Sequence, residues 1–401
     1  MKIVIVTASF SEKMGYCESM LAQQFALDGN KVHVISGNIK PYFNMPGYEK
    51  TYGQFIGPPI VDCGDFQIGK YVLHRLPHMK LFRRIYIKGL LKNLREIRPD
   101  VVQDFTVVSW HAAVLSLGHW LYGYRLFLGN HHTMSVSPWA TEKSVKAVLK
   151  RLFIYLSAYP LGRLISHSAE KCYAATPDCR ELAIRFMGVP DSKCELAPLG
   201  SDTKVFHPCR SESDFQERKK LREKFEFSEG DVVCIYTGRL SEMKNPLLLA
   251  KAIDALAKEG LSYKGLFVGA GPPELHHAIS DCRNCIIIDF IPFYELPNYY
   301  RAADIGVWPR QESTSMIDAA ATALPLVVSH RIVDTSRLHG AIQYSEDDIQ
   351  SLINALISLK DPDYRRILGQ KGASYVDGNL SWTLLAKHRL KDYELSLKNL
   401  F

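Results

Sequence analysis

No stretch of this 401-residue sequence reaches about 18 consecutive apolar residues, so none reads as a membrane-spanning helix. No secretory leader is legible either: Met1-Lys2 opens directly into the strand-like IVIVT, and the polar loop ASFSEK follows. The nine cysteines are scattered, an odd number without framework spacing, which points to a reducing compartment. Cys282-Arg-Asn-Cys285 is a lone CxxC with no second pair and no clustered histidines; it reads as structural, and no metal is expected. No GxSxG elbow supports Ser-His or Cys-His nucleophilic chemistry. Internal repeats and low-complexity tracts are missing. The expected location is the cytoplasm.

What is present is a globular composition. A hydrophobic share of 47% against 23% charged excludes a disordered chain, and 401 residues exceed one comfortable core, so two domains are expected. The net charge of +7 invites a nucleic-acid reading. The basic residues are spread along helices and loops without a recognisable motif, so no nucleic-acid partner is expected. Two segments are locally basic. From Lys80 to Arg98, Leu81, Ile85, Leu90, Leu91, Leu94 and Ile97 recur near helical spacing, which predicts a basic amphipathic helix. From Lys143 to Lys171 apolar content is high, and Pro160 with Gly162 predicts a helix break. Either segment reads as sheet packing with a solvated basic edge, or as a docking element for an anionic membrane surface.

The order of apolar runs predicts α/β architecture. In the N-terminal half MKIVIVTASF, KVHVISG, RPDVVQDFTVV, YRLFLGNHH and CYAATPD each enter a polar loop, with helical segments between them. In the C-terminal half YTGRLSEMKNP, LFVGAGPPEL, IIIDFIPF and RQESTSMIDAAATALPLVVS repeat the layout. Strands alternating with helices imply parallel βαβ units with ligands at the carboxyl ends of the strands. Arg239 leaves one such strand and Lys244 follows five residues later. Two cations opposite a helix N-terminus suit a diphosphate, because charged donors and orphan backbone N–H groups converge on one anion.

These motifs resemble the donor-binding domain of the GT-B glycosyltransferases, in particular glycosyltransferase family 4. The resemblance covers nearly the whole chain and is strongest over 173–206 and 236–329. It implies two Rossmann-like doubly wound domains facing across a cleft: an acceptor-side domain over 1–208, a nucleotide-sugar-binding domain over 209–380, and a C-terminal helix over 381–401 crossing back to the first. The GVP turn and PLGSD segment, with Asp202 and Phe206, match the family's linker entrance.

The resemblance also distributes roles. Arg239 and Lys244 match the Arg and Lys that grip the nucleotide diphosphate, with Gly238 beside them. Gly269 and Gly271 match strand-end glycines near the nucleotide, and Phe290 with Ile291 the loop where the base lies. His132 matches a histidine facing the donor sugar across the cleft, with His131 preceding it, and Gly15 stands in the loop after the first strand. The family commonly has two Glu seven residues apart. Here Asp318 takes the second position, on the ribose hydroxyls, while the first falls on Arg310, which cannot accept from a sugar hydroxyl. Glu312 is then the candidate for the sugar contact, and Ser313, Thr314 and Ser315 offer hydroxyls and N–H groups to a phosphate.

The implied activity is retaining transfer of a sugar from a UDP-, GDP- or ADP-linked donor to an acceptor hydroxyl, in glycan, lipopolysaccharide or glycolipid biosynthesis. The nucleotide sugar is a co-substrate, and no other cofactor is implied. A lipid-linked acceptor would place the chain peripherally on the inner face of the cytoplasmic membrane. Two alternatives are a nucleotide-sugar 2-epimerase on the same fold, and a binding protein without turnover.

Overall fold

The computed structural model describes residues 1–81, 84–135, 137–332 and 338–398. Contacts divide the chain into two units, Met1–Leu199 with Leu385–Phe401, and Gly200–Leu384.

The first unit carries strands β1 (Lys2–Thr7), β2 (Lys31–Gly37), β3 (Gly64–Ile68), β4 (Tyr71–Leu76), β5 (His78–Leu81), β6 (Arg84–Ile87), β7 (Val101–Asp104), β8 (Arg125–Asn130), β9 (Ala169–Ala174) and β10 (Cys194–Leu196). Eight of them form one sheet in the order β10-β9-β8-β7-β1-β2-β4-β3, parallel except for β3. β1 sits in the middle because KIVIVT is apolar on both faces, and its Ile3, Val4, Ile5 and Val6 are fully buried. Helices return between strands with clear punctuation. Ser109 caps the helix Trp110–Tyr122 by accepting from Ala112 N–H, and Gly123 ends it at φ 76°. Thr176 and Pro177 open Pro177–Met187, and Gly188 closes it at φ 69°.

The last helix, Trp382–Lys398, is latched to this unit by buried polar contacts. Tyr393 donates to Gln103 Oε1 at 2.8 Å, and Asp392 accepts from Lys171 Nζ at 2.8 Å and Tyr173 Oη at 2.9 Å. The Arg389 guanidinium lies 4.4 Å over the Tyr173 ring.

The second unit carries β11 (Val232–Thr237), β12 (Tyr263–Val268), β13 (Cys285–Ile288), β14 (Ile305–Trp308), β15 (Leu326–Ser329) and β16 (Ala341–Tyr344). They form a fully parallel sheet in the order β13-β12-β11-β14-β15-β16. Strand order reverses between β11 and β14, the switch point at which doubly wound sheets bind ligands. Residues 200–208 go with this unit for a physical reason. Arg301 donates to the carbonyls of Val205 and His207, and Phe206 packs its ring 5.0 Å from Phe293.

Two sequence expectations are overturned. The segment from Lys80 to Arg98 is not one amphipathic helix. β5 and β6 pair antiparallel, Gly89 turns at φ 78°, and only Leu90–Ile97 is helical. The alternation in RIYI, with Ile85 and Ile87 on one face and Arg84 and Tyr86 on the other, fits a pleat, and the apparent helical spacing arose from joining a strand to a short helix across a glycine. Phe82 and Arg83, within that expectation, lie outside the described residues. Nor does Pro160 break the second segment: Val145–Ser168 is one helix with Pro160 inside it. Pro160 is exposed, so water can take the carbonyl bond the ring forgoes. Close packing holds the following turn, since a Cβ on Gly162 would stand 1.9 Å from Met187 O. Tertiary contact here outweighs propensity.

Candidate functional site

The loops at the carboxyl ends of β11 and β14 carry most of the expected site. β11 ends in Thr237-Gly238-Arg239, with Gly238 at φ 138°. The Tyr236 hydroxyl donates to Arg239 O at 2.9 Å, which pins the turn from below while Arg239 itself is exposed. The chain then tightens, Lys244 N–H and Asn245 N–H both bonding Ser241 O at 3.0 Å. This returns Lys244 over the strand end, where a Cβ built on Gly238 would lie 3.8 Å from Nζ. Burial, and then the charge of Arg239, lower the Lys244 ammonium below its usual value. Among the described residues no carboxylate forms an ion pair with it. Two like charges are therefore held together at a strand end, an arrangement that an anion would relieve.

The floor beneath is a hydrogen-bonded network. Thr237 Oγ1 and the Tyr300 hydroxyl are 2.7 Å apart, Trp308 Nε1 donates to Thr237 O at 3.1 Å, and Ser315 Oγ donates to the same carbonyl at 3.4 Å. Ser313 and Ser315 share a hydroxyl pair at 2.8 Å, and the short helix Ser315–Ala321 begins there. Thr314 stands at its N-cap without a side-chain cap, so an ordinary capping role does not explain it. Glu312 is exposed on the same loop. Phe290 and Ile291 follow β13 and are half-buried.

Gly269 and Gly271 have a packing role that is visible locally. A Cβ on Gly269, at φ 144°, would stand 2.1 Å from Gly238 O, and one on Gly271 would stand 2.4 Å from Leu240 O. Glycine at both positions lets the loop after β12 lie directly against the loop carrying Arg239.

Asp318 retains some solvent contact but is surrounded by protein. Burial raises its carboxyl to about 7; the Ser201 hydroxyl, donating to Oδ1 at 2.6 Å, opposes that, and the Asp202 charge adds to it. Arg310 was legible only as a residue unable to accept from a sugar. In the folded chain it is a clamp. Its Nε and Nη2 hold Asp347 Oδ1 and Oδ2 at 2.9 and 2.8 Å, and Nη1 donates to Glu242 O at 3.1 Å. Asn245 Nδ2 also donates to Asp347 Oδ1, at 3.1 Å. Arg310 and Asp347 thus grip both sides of the turn that carries Lys244. The sequence held no signal for this pairing, since the partners are 37 residues apart.

In the first unit the adjacent histidines after β8 point apart. His131 faces inward, its ring 5.6 Å from Phe105 and its Nδ1 3.9 Å from Cys17 Sγ. Burial first, then the charges of Arg389 and His132, lower it to about 3, so it is neutral near pH 7. His132 is exposed, its backbone fixed by Asn130, whose Oδ1 accepts from His132 N–H at 3.2 Å. Gly15 turns the loop after β1 at φ 65°. Among the described residues no group of three His, Cys, Asp or Glu is placed to hold a metal ion, and no helix is long and apolar enough to cross a membrane.

Two family models match adjoining parts of the chain: Glycosyltransferase Family 4 over residues 19–205 and Glycosyl transferases group 1 over residues 231–361. Spore coat protein SA of Bacillus subtilis (strain 168) is 24% identical over 51% of this chain and 59% of its own length. The UDP-Gal:alpha-D-GlcNAc-diphosphoundecaprenol alpha-1,3-galactosyltransferase of Escherichia coli is 25% identical over 57% of this chain and 59% of its own. The chain thus spans less than two thirds of the length of these relatives. Among solved structures, sucrose-phosphate synthase from Thermosynechococcus elongatus superposes with a TM-score of 0.69 at 15% identity, covering 99% of each chain. With two Rossmann-like parallel sheets, a cation pair at the switch point of the second, and family models over both halves, the chain belongs to glycosyltransferase family 4 and has the GT-B fold.

Proposed function

We propose that this protein is a retaining, metal-independent glycosyltransferase that moves a sugar from a nucleotide-sugar donor to an acceptor hydroxyl. The observation that carries the reading is the Arg239–Lys244 pair, two cations at the carboxyl end of β11 with the Lys244 ammonium destabilised by burial and by its neighbour. A diphosphate arriving there gains two charge-assisted contacts and removes a repulsion. In the transfer, the acceptor oxygen bonds to the anomeric carbon as the bond from that carbon to the phosphate oxygen breaks. The acceptor proton passes to the departing phosphate, and the nucleoside diphosphate leaves. Arg239 and Lys244 neutralise the charge that grows on the leaving oxygen, the stabilisation such a step most requires.

Asp318 is assigned to the ribose, Phe290 and Ile291 to the base, Glu312 to the sugar, and His132 to a donor hydroxyl. The relative with a UDP-Gal donor and a diphosphoundecaprenol-linked acceptor favours a UDP-sugar and a lipid-linked acceptor as the first pair to assay. Arg239→Ala and Lys244→Ala should each lower kcat/KM by about 30- to 1,000-fold, the effect of removing one transition-state charge contact worth about 2–4 kcal/mol. Near-normal turnover in both variants would reject the reading, as would strict dependence on an added divalent metal.

A further inference from the structure

The helix Val145–Ser168 wears its apolar stripe on the outside. Val145, Val148, Leu149, Leu152, Phe153 and Leu156 recur at i, i+3, i+4, i+7, i+8 and i+11, which places them on one face. Such a stripe ordinarily faces the core. Here all six are exposed, from 49% at Val148 to 77% at Val145. The core-facing side is made instead by Ala147, Gly162, Ile165 and Ser166, mostly in the second half of the helix. The stripe is therefore not a displaced core face; the helix is already packed without it.

A second exposed apolar cluster lies at the C-terminal end of this helix, on its neighbour. Trp120, on Trp110–Tyr122, donates its indole N–H to Ser168 Oγ at 2.9 Å and stacks on His167, yet 67% of its surface is exposed. Its polar atom is satisfied inside the protein and its ring is left outside, beside the exposed Leu117 and Leu121. Exposed apolar surface of this kind marks an interaction face. The charge says of what kind: Val145–Ser168 carries Lys146, Lys150, Arg151 and Arg163 and no acid. An apolar stripe on a helix whose own charged residues are all cations, with an exposed aromatic ring beside the helix's C-terminal Ser168, matches a lipid interface with anionic headgroups.

We infer that this face, built by Val145–Ser168 with the end of Trp110–Tyr122, docks the protein in the plane of an anionic bilayer. The apolar side chains enter the headgroup boundary while Lys146 and Lys150 meet lipid phosphates. The inference does not rest on the transferase reading, and of the two basic segments it assigns docking to the second, since Lys80–Arg98 is not one amphipathic helix.

The test uses the full chain and vesicles of phosphatidylcholine alone or with phosphatidylglycerol. The wild-type protein should sediment with the mixed vesicles and be released by high salt, and tryptophan emission should shift to the blue on binding, less so in Trp120→Phe. Leu149→Asp/Phe153→Asp and Lys146→Glu/Lys150→Glu should each weaken partitioning by about tenfold or more. All four positions are exposed, so both variants should keep the wild-type thermal midpoint. Met79→Asp, on the β5–β6 hairpin, should bind as wild type does. Equal binding to both vesicle types, or unchanged binding in both double variants, would overturn the inference. So would a concentration-dependent dimer that Leu149→Asp/Phe153→Asp abolishes in a protein with no affinity for vesicles.

Discussion

Replacing Arg310 by Ala tests whether the clamp on the Lys244 turn serves the diphosphate or only stability. The substitution removes a bidentate contact to Asp347 and the bond to Glu242 O. Side-chain exposures of 34% for Arg310 and 46% for Asp347 mean that solvent screens the pair. The ion pair therefore contributes about 1 kcal/mol or less, and the bond to Glu242 O about 1 more. Total stability should fall by only about 1–2 kcal/mol. The hydrogen bonds and charge of Arg310 hold the Asp347 carboxylate below its usual value. Its contribution is then present above the unfolded pKa of about 3.9 and lost on acidification, so assays at about pH 7 to 8 read it in full. What the loop loses is its hold on Lys244. About 1.4 kcal/mol of lost preorganisation would weaken UDP about tenfold. The assay is calorimetric titration with UDP and with uridine. UDP should weaken in Arg310→Ala while uridine does not, and Arg310→Lys should recover only part, because one ammonium cannot reproduce a bidentate fork. A lowered thermal midpoint with UDP binding unchanged, or equal losses for both ligands, would refute the positioning role.

Three further outcomes are expected. Glu312→Ala should weaken a nucleotide sugar but not the bare nucleoside diphosphate, whereas Asp318→Ala should weaken both; the same pattern across the two ligands from both variants in titration would show the assignment to be wrong. Burial raises the Asp318 carboxyl to about 7, above an unfolded value near about 3.9. Its stabilising contribution is therefore complete below about pH 4 and is lost as pH rises through about 7. Urea midpoints should accordingly fall less between about pH 5 and pH 8 in Asp318→Asn than in wild type, and parallel profiles would contradict this. Gly269→Ala puts a Cβ 2.1 Å from Gly238 O at φ 144° and should cost about 1–3 kcal/mol in urea unfolding, with weakened UDP binding as the Arg239 loop is pushed away. Wild-type behaviour would show that the two loops are free to separate.

The layout was legible in the sequence because parallel α/β units advertise themselves one element at a time. Buried runs such as KIVIVT and VVCIYT can only be central strands, and the polar turn after each marks its carboxyl end. Arg239 and Lys244 could be found for the same reason, since a strand end and a five-residue interval are local facts. Other features depended on partners far away in the chain. Arg310 became a clamp only because the turn after β16 delivers Asp347 beside it, and Asp318 met Ser201 across 117 positions. The last helix reaches Gln103 from 290 residues away, a contact with no local trace. Periodicity misled where it crossed Gly89, because spacing alone does not register a chain reversal. Pro160 misled because a propensity of a few kcal/mol yields to close packing around Gly162. The sequence by itself determined which residues could be strands, helices and charge carriers. Only the tertiary structure decided which charges meet and which apolar stripe faces outward, because pairing and burial depend on what long-range packing brings alongside.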